Sequence, residues 1–170
     1  MLSVLQKAPD FRAPALLGDK VAEVGLADYS GKWVLLFFYP LDFTYVCPTE
    51  LLELSRRAPE FAALNTQIIA ASCDSQFSHK AWAEHLGELA FPVLADFSKE
   101  IARSYEILLE GGYPARASFL IDPNGVLQYA CIHNPNVGRS INETLRVLEA
   151  VQTGGLTPVE WKRGDRTLEP

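Results

Sequence analysis

Three cysteines are the side chains of this sequence best suited to covalent chemistry: Cys47, Cys73 and Cys131. Cys47 has the most informative surroundings, because it follows a buried apolar run and stands just before Pro48 at the predicted start of a helix. We place Pro48 at the first helical position, where its missing N–H costs no hydrogen bond. The sulfur of Cys47 is therefore expected near the unpaired amides and positive dipole end of a helix, which favour a thiolate.

A helix N-terminus alone stabilises a thiolate too little for nucleophilic chemistry at neutral pH. A free cysteine is only about 3% ionised at pH 7, and raising that fraction to roughly 90% requires about 3.4 kcal/mol. A helix terminus supplies about 0.3–1 kcal/mol, or up to ~2 kcal/mol when partly buried. A nucleophilic role for Cys47 therefore needs an arginine from another part of the chain.

Apolar runs bounded by turn residues predict the strands that position this cysteine. The run from Trp33 to Tyr39 lies between Gly31 and Pro40 and is typical of a strand buried on both faces. Four further runs with strand character are residues 67–72, 91–95, 117–121 and 126–131. The last two flank the turn signal Asp122-Pro-Asn-Gly and are predicted to form a hairpin.

Apolar residues at three- and four-residue spacing predict helices between these strands. The longest such segment, residues 48–64, places its apolar side chains on one face, and shorter candidates are residues 78–86 and 99–105. A capping box at residues 140–143 begins a final helix. The alternation predicts an α/β fold, a three-layer sandwich on a mixed central sheet, with one domain over residues 1–153 and a C-terminal arm over residues 154–170.

The residues around Cys47 resemble the active-site signature of the peroxiredoxins. Pro40, Thr44 and Cys47 have the spacing Pro-x-x-x-Thr-x-x-Cys, and the string around them is similar to that of the typical two-cysteine, alkyl hydroperoxide reductase branch. Further similar stretches occur in order along the chain at residues 8–11, 74–82, 116–122 and 137–140. The resemblance implies a thioredoxin-like fold and thiol-dependent reduction of hydrogen peroxide and alkyl hydroperoxides. It calls for no metal and no other cofactor.

The resemblance also implies a role for each matched residue. Cys47 would be the peroxidatic thiol, which peroxide oxidises to sulfenic acid. Thr44 would hydrogen-bond the peroxide oxygens and the thiolate, and Pro40 would shield the sulfur from bulk water. Arg116 would be the missing cation, which stabilises the thiolate and the charge that develops as the O–O bond breaks. Two further matches, expected to orient the arginines by ion pairing, are Glu50 and Arg139.

The C-terminal part of the sequence departs from the two-cysteine pattern. Where that branch has a resolving cysteine followed by proline, this sequence has Thr157 followed by Pro158, and a threonine cannot form a disulfide. The sequence also ends at Pro170 without the longer helix carrying a Tyr-Phe pair, and it lacks the Gly-Gly-Leu-Gly element of overoxidation-sensitive members. We therefore expect a short, one-cysteine-like enzyme whose sulfenic acid is reduced by an external thiol of the thioredoxin, glutaredoxin or small-molecule type.

Cys73 and Cys131 stay open as alternative resolving thiols. Each adjoins a predicted buried strand, so we interpret both as inert core thiols. Either could still pair with Cys47 after local unfolding of its helix, or form a disulfide across a subunit interface. Members of this branch form homodimers and rings of dimers. The aromatic residues that resemble positions near the contact between dimers, with core packing as the alternative, are Phe43, Phe77 and Trp82.

Other thiol and metal functions fit the sequence less well. A dithiol exchanger needs Cys-x-x-Cys, but Glu50 occupies the fourth position after Cys47. A cysteine hydrolase needs a histidine that accepts the thiol proton, and none of the histidines has a motif around it. We interpret these histidines as surface or interface residues: His79, His85 and His133. Ligand pairs at zinc spacing are absent from the sequence, and a redox-sensing or chaperone-like scaffold without turnover remains the alternative from a different class.

Composition limits the partners and the compartment. The 170 residues are 48% hydrophobic with a net charge of -6, which suits a single domain and gives no support to binding of nucleic acid or an anionic membrane. The longest apolar run is far shorter than the roughly 18 residues of a bilayer crossing. Sparse cysteines in odd number and an N-terminus without the features of a secretory signal predict a cytoplasmic protein.

Overall fold

Among residues 2–169, which the computed structural model describes, seven strands form one mixed sheet. The strands are β1 (Arg12–Leu17), β2 (Lys20–Gly25), β3 (Trp33–Phe38), β4 (Thr66–Ser72), β5 (Val93–Ala95), β6 (Arg116–Ile121) and β7 (Leu127–His133). The helices are α1 (Val46–Arg56), α2 (Ala58–Ala63), α3 (Gln76–Leu86), α4 (Glu100–Ser104) and α5 (Ile141–Gln152), and a 3₁₀ turn covers Leu26–Tyr29. By their internal contacts the residues group into two units, Met1–Arg139 and Ser140–Pro170.

The sheet places β3 near its centre and brings β6 beside it. The strand order is β2-β1-β5-β4-β3-β6-β7, with β4 parallel to β3 and β5, and the remaining neighbours antiparallel. Because β3 and β6 run in opposite directions, Phe38 at the end of β3 lies opposite Ala117 near the start of β6. The residues that follow β3 and those that begin β6 therefore meet at one edge of the sheet.

The predicted hairpin of β6 and β7 is confirmed, and its turn has a local explanation. The Asp122 carboxylate accepts hydrogen bonds from the backbone N–H groups of Asn124 and Val126, both at 2.9 Å. Gly125 has a φ of 75°, a left-handed conformation that is easy for glycine alone. The turn is followed by the pair Ile121 and Leu127, and a register shift between Leu120 and Ile121 then places Arg116 opposite His133.

The single helix predicted over residues 48–64 is wrong, because two helices occupy this region. α1 ends at Arg56 and α2 begins at Ala58, with Pro59 in its first turn. A proline inside one continuous helix would remove a backbone hydrogen bond and clash with the preceding turn, whereas it is tolerated in the first turn. The position of Pro59 in the sequence was the signal for this break.

The hairpin of β1 and β2 has no counterpart in the sequence-based prediction. Lys20 to Glu23 are exposed, so β2 lacks the alternation of buried and exposed residues that predicts a strand. Its turn was nevertheless readable: Leu17 pairs with Lys20 across the two residues Gly18 and Asp19, and Gly18 has a φ of 60°. Glycine at the first central position is typical of a two-residue hairpin turn.

The unit Ser140–Pro170 begins with the predicted capped helix. The Ser140 hydroxyl accepts a hydrogen bond from the backbone N–H of Glu143 at 3.2 Å, which satisfies one of the unpaired amides of α5. Beyond α5 the described chain contains a turn that Leu156 and Leu168 close through a β-bridge. The indole N–H of Trp161 donates to the carbonyl of Asp165 at 3.2 Å within this segment.

Candidate active site

Cys47 lies at the beginning of α1, where β3 has ended and a short loop has turned the chain. The helix begins at Val46, so Cys47 is its second residue and Pro48 its third. The prediction that Pro48 is the first helical residue is therefore wrong, although a proline at the third position still removes only an N–H that has no partner inside the helix. The Cys47 side chain is fully buried beside the unpaired amides of this first turn.

Arg116 brings a guanidinium to the sulfur. It is the first residue of β6 and is only 3% exposed. Its Nη1 donates to the Cys47 Sγ at 3.4 Å and to the Glu50 Oε2 at 2.8 Å, while its Nε donates to the carbonyl of Pro135 at 2.7 Å. The Glu50 carboxylate and the Pro135 carbonyl thus hold the planar guanidinium against the sulfur. The flexible ammonium of a lysine could not make all three contacts in this geometry.

Glu50 and Arg139 form a buried ion pair behind that contact. Glu50 follows Cys47 by three residues and so faces the same side of α1. Its Oε1 accepts from the Arg139 Nε at 3.0 Å and backbone N–H at 2.7 Å, and its Oε2 accepts from the Arg139 Nη2 at 2.9 Å. Burial raises the pKa of Glu50, but hydrogen bonds and charge from Arg139, with the charge of Arg116, outweigh it and leave the pKa lowered.

Arg139 is itself held from several sides, so it can fix Glu50. Its Nη1 donates to the carbonyl of Ala117 at 2.6 Å and to the Ser118 hydroxyl at 3.1 Å. The guanidinium carbon stands 3.3 Å from the centroid of the Phe37 ring, a cation–π contact in a desolvated setting. Burial lowers the pKa of Arg139, and the Glu50 carboxylate opposes that shift. The sequence therefore pointed to four residues that the structure brings together: Cys47, Glu50, Arg116 and Arg139.

Pro40 and Thr44 lie on the loop between β3 and α1. Pro40 is buried and Thr44 is half-buried. The Thr44 hydroxyl donates to the carbonyl of Leu41 at 2.9 Å, which leaves its oxygen lone pairs for an incoming donor. Within the described residues no hydrogen bond joins Thr44 to Cys47, so the expected contact between Thr44 and the thiolate is not made in this geometry.

Comparison with known proteins identifies this arrangement. Residues 4–130 match the AhpC/TSA family. A protein named as a peroxiredoxin in the rubredoxin operon of Clostridium pasteurianum is 47% identical over 170 residues, covering 95% of this chain and 96% of that protein. The chain belongs to the AhpC/TSA family of peroxiredoxins.

Solved structures agree with this assignment. The reduced 2-Cys peroxiredoxin of Plasmodium vivax superimposes with a TM-score of 0.96 at 36% identity, covering 98% of this chain and 93% of that one. Mycobacterium bovis AhpC gives a TM-score of 0.87 at 33% identity, covering 95% and 99%. The predicted thioredoxin-like α/β fold is thereby confirmed for this peroxiredoxin.

The remaining cysteines have different surroundings from Cys47 and from each other. Cys73 is buried after β4, as predicted, and burial together with the nearby Asp96 carboxylate raises the pKa of its thiol to about 12. The prediction that Cys131 is a core thiol is wrong: it is only half-buried, because β7 is the edge strand of the sheet. The structure contains no group of three potential ligands that could hold a metal ion within the residues it describes.

We expect Cys73 to resist alkylation in the folded peroxiredoxin. At mildly alkaline pH the raised pKa keeps its thiol protonated, so iodoacetamide should modify it at least about 100-fold more slowly than Cys131. Timed labelling followed by peptide mass spectrometry measures both rates. In denaturant the three cysteines should react alike, and equal labelling in the native state would contradict the buried placement of Cys73.

The histidines and the aromatic residues near α3 require one correction. His79 is buried, at 2% exposure, so the surface interpretation is wrong for it; His85 is exposed and His133 is half-buried. Trp82 is also buried, with its ring centroid 5.7 Å from that of Tyr39. The other two aromatic residues that resemble positions near the contact between dimers, Phe43 and Phe77, are more than half exposed.

We expect the Glu50 carboxylate to contribute to stability at neutral pH but not in acid. Because the pKa of Glu50 in the folded state lies below its ordinary value of 4.5, ionised Glu50 stabilises the fold above that pH. The contribution disappears as the pH falls through the lowered pKa. Urea unfolding of wild type and Glu50→Gln should show a stability difference that shrinks in this window, whereas a difference independent of pH would contradict the ion pair.

None of the helices within residues 2–169 has the length and apolar character needed to cross a bilayer.

Proposed function

We propose that Cys47 is the peroxidatic residue of this peroxiredoxin, which as a member of its family is a thiol-dependent peroxidase. The observation that carries the proposal is the 3.4 Å contact between the Arg116 guanidinium and the Cys47 sulfur. The thiolate attacks one oxygen of hydrogen peroxide or of an alkyl hydroperoxide. The O–O bond breaks, Cys47 becomes sulfenic acid, and the other oxygen leaves as water or an alcohol after taking up a proton.

Each neighbour has a distinct part in this proposal. Arg116 stabilises the thiolate and the negative charge that develops on the leaving oxygen. Glu50 and Arg139 hold that guanidinium in place from behind, since Glu50 accepts hydrogen bonds from both arginines. Pro40, which is buried, shields the sulfur from bulk water, and the free lone pairs of Thr44 accept a hydrogen bond from the peroxide O–H.

An external thiol then reduces the sulfenic acid. In this proposal Thr157 takes the position of the resolving cysteine of the two-cysteine branch, as the resemblance implies. Cys73 is a poor candidate because a thiol with a pKa of about 12 is almost entirely protonated at neutral pH. Cys131 lies on β7, on the far side of β6 from the strand that leads to Cys47. The reductant in this proposal is of the thioredoxin, glutaredoxin or small-molecule class.

Assembly, domain division and compartment complete the proposal. The exposed rings of Phe43 and Phe77 support a homodimer that assembles further into a ring of dimers, because aromatic side chains are enriched in interfaces.

The proposed domain comprises residues 1–153 and the proposed arm residues 154–170. The low and odd number of cysteines supports the cytoplasm as the compartment. The scaffold alternative is not favoured, because the relatives are peroxiredoxins.

Trapping of the oxidised cysteine tests the chemical part of the proposal. One equivalent of hydrogen peroxide, followed by dimedone, should give a single adduct on Cys47 in wild type and in the control variants Cys73→Ser and Cys131→Ser. Intact mass without dimedone should show one added oxygen. A loss of two hydrogens, with a disulfide mapped from Cys47 to Cys73 or Cys131, would overturn the external-thiol step; an adduct on another cysteine would overturn the assignment of Cys47.

A further inference from the structure

A second buried polar cluster is centred on Asp42, which lies between Pro40 and Thr44 in the loop that joins β3 to α1. It consists of Tyr39, Asp42, Ser78 and His79, and the Asp42 and His79 side chains are each 1% exposed. The Asp42 Oδ1 accepts from the Tyr39 hydroxyl at 2.8 Å. The Oδ2 accepts from the Ser78 hydroxyl at 2.7 Å and from the His79 Nδ1 at 2.9 Å. The peroxidase chemistry proposed above uses none of these groups.

The side chains of this cluster converge on a single carboxylate, that of Asp42. Burial, with the Asp42 charge, raises the pKa of the Tyr39 phenol well above its ordinary range, so the phenol stays protonated and donates. Both ring nitrogens of His79 face oxygen acceptors, the second being the carbonyl of Leu94 at 3.2 Å. The Asp42 carboxylate therefore has three side-chain partners, and a buried carboxylate loses part of its compensation if one of them is removed.

The Asp42 backbone ties the same loop to the end of β4. Its N–H donates to the Asp74 Oδ2 at 2.9 Å, and the same oxygen accepts from the Ser72 hydroxyl at 2.8 Å. Phe43, the next residue, has a φ of 53°, which is an uncommon conformation for a side chain of this size. Its ring centroid lies 6.2 Å from that of Trp82. Asp42 is thus bonded through both its main chain and its side chain to elements outside the loop.

We propose that Asp42 is a positioning residue for peroxide reduction. Its hydrogen bonds to Tyr39, Ser78 and His79 hold the loop so that Thr44, two residues later, and Cys47, five residues later, face the peroxide together. This inference rests on the proposed function, because it concerns the same site. Asp42 touches neither the sulfur nor the peroxide; it acts through the backbone that joins it to Thr44.

A pair of histidine variants separates positioning from packing. In His79→Asn the side-chain amide nitrogen takes the place of Nδ1 and still donates to Asp42. In His79→Gln the amide nitrogen takes the place of Nε2 and points to the Leu94 carbonyl instead. We expect His79→Gln and Asp42→Asn to oxidise Cys47 about 100-fold more slowly with hydrogen peroxide, and His79→Asn to stay within about 5-fold of wild type, because small misplacements of reacting groups have effects of that size.

Two rate constants of Cys47 are measured for each variant, oxidation by hydrogen peroxide and alkylation by iodoacetamide. Alkylation needs the thiolate but not Thr44, so the positioning role lowers the rate of oxidation and leaves the rate of alkylation unchanged. Partial unfolding instead exposes the buried Cys47 and raises its rate of alkylation. Equal ratios of oxidation to alkylation in wild type and Asp42→Asn, or the same fall in both histidine variants, would overturn the proposal. Circular dichroism establishes that each variant is folded.

Tyr39→Phe decides the question if the carboxylate variants fail to fold. It removes one hydroxyl and keeps the ring, and we expect a ratio about 10-fold below that of wild type; an unchanged ratio would overturn the inference. The peroxide consumption of wild type and of Cys47→Ser is measured in the same experiment. If wild type consumes no peroxide, or if Cys47→Ser consumes it equally well, the proposed function fails instead, and the two failures are therefore distinguishable.

Discussion

Cys47→Ser is expected to lower the peroxidase rate by at least about 1000-fold. A serine hydroxyl is not ionised at neutral pH, and the loss of a nucleophile typically removes most of the rate enhancement of an enzyme. The other cysteines should not compensate. With its pKa raised to about 12, Cys73 holds only about one thiolate in 100,000 at pH 7, and the strand order separates Cys131 from β3 by β6.

The measurement is peroxide consumption with dithiothreitol as electron donor. Cys73→Ser and Cys131→Ser serve as matched controls, since each replaces one sulfur by oxygen elsewhere in the chain. Both should retain the wild-type rate within about 2-fold. Because serine is close in volume to cysteine, the unfolding free energy of Cys47→Ser should change little. Consumption that persists in Cys47→Ser would show that another group reduces the peroxide.

The chemistry of the site was readable from the sequence because its signals are local. Pro40, Thr44 and Cys47 lie within eight residues of one another. The need for a cation followed from comparing the free energy needed to ionise a thiol with the smaller amount that a helix terminus supplies. That the cation is Arg116 came from the family resemblance, since no local pattern predicts a contact between residues 69 positions apart. The sheet supplies the reason: β6 runs antiparallel to β3 and begins where β3 ends.

The buried cluster around Asp42 shows where reasoning from sequence stops. His79 lies in α3 between the half-buried Ser78 and the exposed Lys80. Its partner Asp42 is 37 positions earlier in the chain. Nothing in either segment alone indicates that the two side chains are buried together. Similarly, β2 becomes a strand through pairing with β1, since its own residues are largely exposed. Tertiary pairing, which leaves no periodic pattern, decides both cases.

Arg116→Met is expected to slow the oxidation of Cys47 about 100- to 1000-fold, the usual effect of removing a donor aimed at developing charge. Both oxidation by peroxide and alkylation by iodoacetamide should fall, because the thiolate loses its cation. This differs from the Asp42 variants, in which only oxidation falls. Arg116→Lys should recover part of the rate, since a lysine keeps the charge but cannot reach the sulfur, Glu50 and the Pro135 carbonyl at once.

Arg12→Met is the matched control, because Arg12 also begins a strand and pairs with a carboxylate, that of Asp28, but on the surface. Its rates should equal those of wild type, since an exposed ion pair contributes little to stability and this one lies outside the site. A normal rate in folded Arg116→Met would mean that the helix amides alone hold the thiolate. A helix terminus stabilises an adjacent charge by at most ~2 kcal/mol, so we expect the reactivity of the sulfur to depend on the guanidinium.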